Sequence, residues 1–407
     1  MTFSPLFFSI QTMAADFDRI IDRKGTSSVK YDIRGEIFGN RDVVPMWVAD
    51  MDFPVPEAVS EALKERASHP IYGYSVMSDS YFEAFIEWQK RRHDWEISKE
   101  SVLFSPGIVT GVNLLVRSLT RPGDRIIVQP PVYFPFFSAV EKNDRKLLYN
   151  QLIEKEGNYS MDFDDLEKKL KEGAKMLILC SPHNPVGRSW TLDELQTAGD
   201  LCVKYGAVII SDEIHCDLVF NPYRHIPMAK ISGDIEQQTV TCLSTSKTFN
   251  LAGLFTSQII IQNEEHRKAY QKEMDKVHLS PNIFGMVASE AAYRHGDAWL
   301  DELLDYLWNN YLLVKDFLGE RLPRIGLTAP EATYLLWLDF RDYGLPEKEL
   351  NTLLTDKAVI GMNMGSMFGP GGKGFQRMNI ACPRPVVEKA LESLDNNLES
   401  RDDVPLF

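Results

Sequence analysis

The alternation of short apolar runs with amphipathic stretches between about residues 100 and 262 constrains the fold of this 407-residue chain more than any other feature. Five of the runs have the length and composition of buried strands: residues 126–129, 176–180, 207–211, 239–243 and 257–261. Strands that alternate with helices are typical of a mostly parallel sheet covered on both faces. Ligands of such sheets bind at the carboxyl ends of strands, so we expect the functional residues directly after these runs.

One of the intervening helices has clear boundaries in the sequence. Thr191 has the properties of an N-cap, Glu194 follows three residues later as in a capping box, and Gly206 marks the end of a helix over 191–205. Beyond residue 296 the pattern changes to "DAWLDELLDYLWNNYLLVKDFLGERL", whose apolar residues recur at helical spacing.

This change of pattern predicts two domains. We expect residues 56–296 to form a large domain, and residues 13–55 and 297–407 to form a smaller one. The smaller domain would contain the strand-like "ATYLLWLDF" and the helix-like "RPVVEKALESLDNNL". Residues 1–12 are expected to be an extension outside the fold, because a second methionine, Met13, follows them.

Composition excludes several classes of partner. The net charge of −14 argues against nucleic acid or an anionic membrane as the main partner. No apolar run approaches the ~20 residues that span a bilayer, and no basic residue precedes the short apolar patch near the start, which argues against a signal peptide. The five cysteines are scattered and include no CxxC pair, which favours a reducing cytoplasm.

The candidate functional residues lie in turns between the predicted strands and helices. "SPGIVTGVNLL" (105–115) is a glycine turn that opens a helix, where backbone N–H groups bind phosphate or simply make a turn. Tyr133 could stack on a cofactor ring or could simply be part of the core. Asn184 could donate a hydrogen bond from its amide or could simply belong to a turn. Asp212 would be a buried carboxylate that needs a ring nitrogen, an arginine or a helix N-cap as its partner. Lys247, which closely follows Ser244 and Ser246, is either a solvated side chain or a covalent anchor.

Together these residues meet the requirements of one cofactor, pyridoxal 5'-phosphate. This cofactor needs a lysine amine for its Schiff base, a carboxylate for its ring nitrogen, a donor to its phenolic oxygen, an aromatic face and a phosphate cup. Asn184, Asp212 and Lys247 follow one another at intervals of 28 and 35 residues. Each element alone is weak, but the ordered set predicts a pyridoxal phosphate site.

Four motifs resemble those of the fold type I, class I/II aminotransferases. They are Asn-Pro-x-Gly at 184–187, Asp-Glu-x-His at 212–215, Ser-x-x-Lys at 244–247 and Arg-x-Asn at 377–379. A narrower group, the cystathionine β-lyase-like C–S lyases of MalY/PatB type, is more similar still. "VPMWVADMDFPVP", "YGYS", "SDEIHCDL" and "RMNIACPR" resemble that group, although Val44 replaces the usual leucine. His215 takes the place of the tyrosine found in most aminotransferases, as in the lyases.

The resemblance implies an α/β fold of type I, with a mostly parallel seven-stranded sheet in the large domain and a smaller α+β domain. It also implies cofactor contacts. Lys247 would form the Schiff base and later carry a proton, Asp212 would pair with the pyridine nitrogen, Asn184 with the phenolic oxygen, and Tyr133 would stack on the ring. The phosphate would be held by Ser244, Ser246 and the backbone of Gly107 and Ile108.

The resemblance further implies a small amino-acid substrate and a homodimer with shared active sites. Arg377 would clamp the substrate α-carboxylate, helped by the backbone near Ala49. Tyr74 would reach the cofactor of the partner subunit. His215 either tunes the phenolic oxygen or is a satisfied histidine beside the site.

The function implied is a C–S β-lyase that converts L-cystathionine or related cysteine S-conjugates to a thiol, pyruvate and ammonia. An aminotransferase shares the early steps and remains an alternative, as does a regulatory binding protein that retains the fold. Two other candidate sites, a phosphate loop and a metal site, are not supported by the sequence. "GPGGKG" (369–374) lacks the spacing of a phosphate loop and suits a lid or turn. The histidines at 69, 93, 215 and 225 show no metal-ligand spacing.

Overall fold

The computed structural model describes residues 15–398, which form strands and helices in alternation. In chain order, the strands β1–β15 are Val44–Pro45, Val102–Ser105, Arg125–Val128, Lys146–Tyr149, Ile153–Lys155, Asn158–Ser160, Met176–Cys180, Val208–Asp212, Thr239–Leu243, Ser257–Ile261, Gly326–Leu327, Leu335–Asp339, Ile360–Gly361, Asn363–Met364 and Phe375–Asn379.

The helices also follow one another in chain order. The α-helices α1–α15 are Val29–Asp32, Arg34–Phe38, Glu57–Ser68, Asp79–His93, Ile108–Leu119, Pro135–Glu141, Phe163–Lys171, Leu192–Tyr205, Gly233–Gln238, Thr245–Thr248, Glu264–Val277, Ile283–His295, Asp297–Arg321, Glu347–Thr352 and Arg384–Leu398. Short 3₁₀ turns span Lys99–Ser101, Met228–Lys230, Ala252–Leu254, Arg341–Tyr343 and Gly365–Phe368, and a π-helical turn spans Leu353–Lys357. No helix within residues 15–398 is long and apolar enough to cross a membrane.

A seven-stranded sheet in the order β2-β10-β9-β8-β7-β3-β4 forms the centre of the larger part. Strand β10 runs antiparallel to both of its neighbours, whereas the pairs from β9 to β4 are parallel. Strands β7 to β10 are buried at every position, which explains their continuous apolar runs. The predicted α/β fold and its five strands are confirmed, with boundaries that shift by at most one residue.

Helices cover both faces of this sheet. Along β7, Met176 and Ile178 belong to one apolar cluster while Leu177 and Leu179 belong to another. This alternation places successive side chains on opposite faces. Helices α5, α6 and α11 contribute to the first cluster, and α7, α8 and α9 contribute to the second.

Helix α8 begins and ends as its sequence predicts. The Thr191 hydroxyl accepts a hydrogen bond from the Glu194 N–H, and the Glu194 carboxylate accepts one from the Thr191 N–H. Gly206 ends the helix in the left-handed conformation, with φ of 67°.

The remaining part contains a four-stranded antiparallel sheet in the order β11-β12-β15-β14, with α13 and α15 as its long helices. Strand β1 pairs in parallel with β13, which joins residues 44–45 to residues 360–361. The predicted helix after residue 296 is α13, which has 25 residues. The domain boundaries stay a prediction, and the extension expected at residues 1–12 lies outside the described residues.

Two helical glycines differ in the space around them and provide a test of the packing. A methyl group at Gly285 of α12 would lie 1.9 Å from Thr256 Oγ1 and 2.8 Å from the Leu254 carbonyl oxygen, whereas one at Gly319 of α13 has nothing within 4 Å. We expect Gly285→Ala to lower the free energy of unfolding by about 1–3 kcal/mol through overpacking. We expect Gly319→Ala to raise it by about 0.5–1 kcal/mol, because alanine loses less backbone entropy than glycine.

Urea denaturation of both variants alongside the wild type measures this difference. The two substitutions are chemically identical and both lie in helices. Changes of opposite sign in the free energy of unfolding can therefore be attributed to the packing of α12 against Thr256. A Gly285→Ala variant as stable as Gly319→Ala would contradict the close approach.

Candidate active site

A cavity of about 420 Å³ opens at the carboxyl ends of the sheet strands, where the predicted functional residues come together. Its lining includes eleven of the twelve predicted site residues: Ala49, Gly107, Ile108, Tyr133, Asn184, Asp212, His215, Ser244, Ser246, Lys247 and Arg377. Tyr74 is the exception. The turns after β2, β3, β7, β8 and β9 therefore converge as expected for a mostly parallel sheet.

Lys247 lies on α10, a single helical turn directly after β9. Its Nζ donates a hydrogen bond to the Ala49 carbonyl oxygen at 2.5 Å. Burial and the nearby Arg377 charge lower the pKa of Lys247 to about 8, although the Asp50 and Asp212 charges oppose the shift. A larger fraction of the amine is therefore neutral and nucleophilic near pH 7 than for an exposed lysine.

Asp212 is the last residue of β8 and is almost completely buried. One carboxylate oxygen accepts a hydrogen bond from the Ile214 N–H at 3.2 Å, and Asp212 makes no ion pair within residues 15–398. Burial raises the pKa of Asp212 to about 7, although the Ile214 bond and the Lys247 charge lower it. A buried carboxylate that faces a cavity without a cationic partner fits a protonated ring nitrogen.

Arg377, on β15, is a buried cation held by neutral groups. Nη1 donates to Asn184 Oδ1 at 3.0 Å, and Nη2 donates to the Trp47 carbonyl at 2.9 Å and to Asn363 Oδ1 at 2.7 Å. Nε has no partner among the described residues, and the guanidinium carbon lies 4.9 Å from the Phe368 ring centroid. Burial lowers the pKa of Arg377 to about 10. The site therefore contains a positive charge without a compensating carboxylate, which suits an anionic ligand.

The same interaction orients Asn184. Because its Oδ1 accepts from Arg377, its amide nitrogen is the group left to face a ligand, and that nitrogen makes no hydrogen bond within the described chain. The donor expected for a phenolic oxygen is thus free at the predicted residue.

The first turn of α5 and the turn around Ser244 form one end of the cavity. Gly107 precedes α5 with φ of 107°, a conformation that favours glycine, and Ile108 begins the helix. The Ser244 hydroxyl donates to the Thr256 carbonyl at 2.8 Å and accepts from the Ser246 N–H at 3.1 Å. Ser244 therefore serves as a helix cap, while Ser246 and the α5 N–H groups face the cavity. This arrangement suits a phosphate.

Two aromatic residues lie on the walls. Tyr133 contacts Phe136 edge-on, with ring centroids 5.6 Å apart. His215 is buried, its Nδ1 has no partner in the described part of the chain, and its ring meets Tyr334 edge-on at 6.1 Å. Burial and the Lys247 and Arg377 charges lower the pKa of His215 well below its usual value, so the ring is neutral. Because Nδ1 has no hydrogen-bond partner among the residues that the structure describes, His215 is better explained as a residue that acts in the cavity than as a satisfied histidine beside it.

Tyr74 does not join the cavity of its own chain. It is fully exposed and borders a separate surface pocket with Tyr72, Ser280 and Ile283. Its predicted role toward a partner subunit stays a prediction.

Sequence reasoning missed three residues that complete the site. Trp47 provides a carbonyl for Arg377, and Tyr334 donates its hydroxyl to the Ala49 carbonyl at 2.9 Å. Asn363 reaches Arg377 because the two residues pair directly between β14 and β15. Trp47 lies within the quoted "VPMWVADMDFPVP", which was the available signal, whereas no local pattern marks Asn363.

Comparison with known proteins agrees with this geometry. The family described as aminotransferase class I and II matches residues 41–394. Cystathionine beta-lyase PatB of Bacillus subtilis (strain 168) is 45% identical over 381 residues, which cover 93% of this chain and 98% of PatB.

Two solved structures have the same fold. Cystalysin from Treponema denticola, which contains a pyridoxal 5'-phosphate cofactor, superposes with a TM-score of 0.93 at 38% identity, over 95% of this chain and 100% of cystalysin. The PLP-bound C–S lyase from Staphylococcus hominis gives a TM-score of 0.89 at 37% identity, over 95% and 98% of the two chains. The predicted resemblance is thus confirmed, and the chain belongs to the class I and II aminotransferase family, in its cystathionine β-lyase-like group.

Proposed function

We propose that this chain is a pyridoxal phosphate-dependent C–S β-lyase that converts L-cystathionine or related cysteine S-conjugates to a thiol, pyruvate and ammonia. The observation that carries the proposal is the convergence of Lys247, Asp212 and Arg377 on one cavity. The likeness to PatB, named a cystathionine beta-lyase, and to a PLP-bound C–S lyase supports both the reaction and the cofactor.

The residues of the cavity fit the cofactor group by group. When bound, pyridoxal phosphate supplies an aldehyde that reacts with amines and a cationic ring that accepts negative charge from Cα. The Asp212 carboxylate would keep the ring nitrogen protonated, and the Asn184 amide would donate to the phenolic oxygen. Tyr133 would lie against the ring. Ser246 and the first N–H groups of α5 would bind the phosphate.

Arg377 and Lys247 would then act on the substrate. The Arg377 guanidinium binds the α-carboxylate and thereby orients the Cα–H bond toward Lys247. Lys247 removes that proton as a general base, and a pKa of about 8 suits this task near neutral pH. A thiolate then leaves Cβ more readily than hydroxide, because a thiol is a much stronger acid than water.

The charges of the cavity favour this reaction over transamination with 2-oxoglutarate. Lys247 and Arg377 are the lysine and arginine side chains that line the cavity among the described residues of one chain. A dicarboxylate needs a second cationic partner beyond the one that binds its α-carboxylate. Cysteine S-conjugates whose S-substituent is neutral or zwitterionic carry no net charge at their distal end, so they do not require a second cationic side chain.

We further propose a cytoplasmic homodimer with shared active sites. Tyr74 is exposed together with Ile71, Tyr72 and Val76, which form a stretch of uncovered apolar surface suited to a second copy of the chain. All five cysteines are free and buried, which suits a reducing compartment. The small domain would comprise residues 13–55 and 297–407, and the large domain residues 56–296.

The first functional prediction concerns the covalent anchor. Borohydride treatment of the holoprotein should fix the cofactor on the peptide that contains Lys247, because the neutral amine is the nucleophile at the centre of the cavity. Lys247→Ala should lose this attachment, while Lys268→Ala, which removes an exposed lysine of α11, should retain it. Peptide mass spectrometry distinguishes these outcomes, and an unchanged modified peptide in Lys247→Ala would refute the assignment.

The low pKa of Lys247 predicts how attachment depends on pH. Its ammonium form must lose a proton before it attacks the aldehyde, so the rate of attachment to apoprotein should rise with pH and level off above about 8, the value set mainly by burial. Stopped-flow absorbance with added pyridoxal phosphate measures this profile. A rate that continues to rise toward pH 10.5 would indicate an unperturbed lysine.

Reaction type is tested by the stoichiometry of the products. L-Cystathionine without any added keto acid should yield pyruvate, ammonia and thiol in equal amounts, because elimination needs no second substrate. Alanine, which lacks a leaving group, serves as the control and should give only slow loss of its amino group. Rapid amino exchange with 2-oxoglutarate and no thiol release would establish the aminotransferase alternative instead.

The shared site is tested by mixing subunits of two impaired variants. Tyr74→Phe should weaken cofactor retention, and its mixture with Lys247→Ala should recover activity, because a mixed dimer rebuilds one intact site. Each variant incubated alone is the control, and mass-tagged subunits verify exchange. Verified exchange without any recovery would contradict a shared site.

A further inference from the structure

The helical turn that carries Lys247 depends on tertiary anchors. Helix α10 has four residues and is too short to be stable by itself. Thr245 bonds the Ser289 hydroxyl of α12 at 2.9 Å, and the fully buried Thr248 donates its hydroxyl to Asp217 Oδ2 at 2.7 Å. Because Thr248 directly follows Lys247, its bond fixes the end of the turn next to the amine-bearing residue.

Asp217 is itself held firmly. It follows β8 in the "SDEIHCDL" segment, and its other oxygen accepts from Trp88 Nε1 at 3.1 Å and from His93 Nε2 at 2.8 Å. Trp88 and His93 both belong to α4. Burial raises the pKa of Asp217, but the bonds from His93, Thr248 and Trp88 outweigh it and hold the pKa below its usual range. The carboxylate is therefore ionised and a strong acceptor for the Thr248 hydroxyl.

A metal site is the other interpretation of this cluster. The potential ligand atoms of His93, Cys216 and Asp217 all lie within 4.8 Å of one another. Three side-chain donors already occupy the Asp217 carboxylate, and burial raises the pKa of the Cys216 thiol well above its usual value. Since the thiolate is the metal-binding form, this environment favours a hydrogen-bonding anchor.

We propose that Asp217 and Thr248 are positioning residues that aim the Lys247 amine at the cavity. Neither residue lines the cavity, so both act through the backbone turn of α10. The inference rests on the proposed role of Lys247 as anchor and general base. Proton transfer at Cα needs close alignment, and a displacement of ~1 Å can lower such rates by about 10²-fold.

The test removes the Thr248 hydroxyl without changing the side-chain shape. Thr248→Val should lower kcat for a cysteine S-conjugate by about tenfold or more and leave KM within about twofold, because substrate binding depends on Arg377. It should also slow covalent attachment of pyridoxal phosphate to apoprotein. Thr248→Ser keeps the hydroxyl and should restore both rates.

Thr239→Val is the matched control. Thr239 is buried at the start of β9, and its hydroxyl donates to the Ile235 carbonyl at 2.7 Å, away from the cavity. The control makes the same chemical change and should lower the melting temperature without altering kcat or the attachment rate. If Thr248→Val matches Thr239→Val in both rates, or if Thr248→Ser is as impaired as Thr248→Val, the proposal is overturned.

Asp217→Asn provides a second, independent measurement. It keeps an acceptor oxygen but removes the charge, so the attachment rate should fall between those of the wild type and Thr248→Val. The double variant should be no slower than Thr248→Val, because both substitutions affect the attachment rate through the Asp217–Thr248 bond. Additive losses would contradict a shared bond. Absence of cofactor on Lys247 in the borohydride-treated wild type would instead refute the proposed function as well, and this outcome is recognised without any variant.

Discussion

The hydrogen bonds of the Arg377 guanidinium connect three parts of the chain that are far apart in sequence. They join β15 to the Asn184 turn, to the Trp47 carbonyl and to Asn363 of β14. Burying a cation costs several kcal/mol unless good partners replace water. The partners of Arg377 are neutral amide and carbonyl oxygens, so they stabilise its positive charge without neutralising it. The site therefore surrounds a positive charge that no carboxylate of the described residues neutralises.

The segment from Trp47 to Asp52 is hydrogen-bonded both to the smaller sheet and to Lys247. The Ala49 carbonyl accepts from both Lys247 and Tyr334, and Asn379 donates to the Val48 and Asp50 carbonyls. On the other side of the segment, the fully buried Lys30 pairs with Asp52 at 2.9 Å, and Arg23 contacts both Asp50 and Asp52. An ion cluster outside the cavity thus fixes the carbonyls that orient the cations inside it.

Local patterns in the sequence predicted the centre of the fold and most of the site. Strands β7 to β10 are buried on both faces and therefore appear as continuous apolar runs. Edge strand β4 was missed because it is partly exposed and carries no such run. Lys247, Asp212 and Asn184 were predicted because each comes at or just after the end of a predicted strand, and all three line the cavity. Asn363 was missed because its place beside Arg377 depends on the register between β14 and β15, which no local pattern specifies.

The pKa values of three ionisable groups in the cavity are shifted from their usual values. Burial lowers the pKa of Lys247 and Arg377 and raises that of Asp212. The largest cause of each shift is burial, which removes water from the charged form and outweighs the nearby opposite charges. A protonated ring nitrogen would form an ion pair with Asp212, and an aldehyde would bond covalently to the amine of Lys247. A carboxylate would form an ion pair with Arg377. Ligands that supply all three groups therefore offset the cost of burying the charges, which favours binding of such ligands.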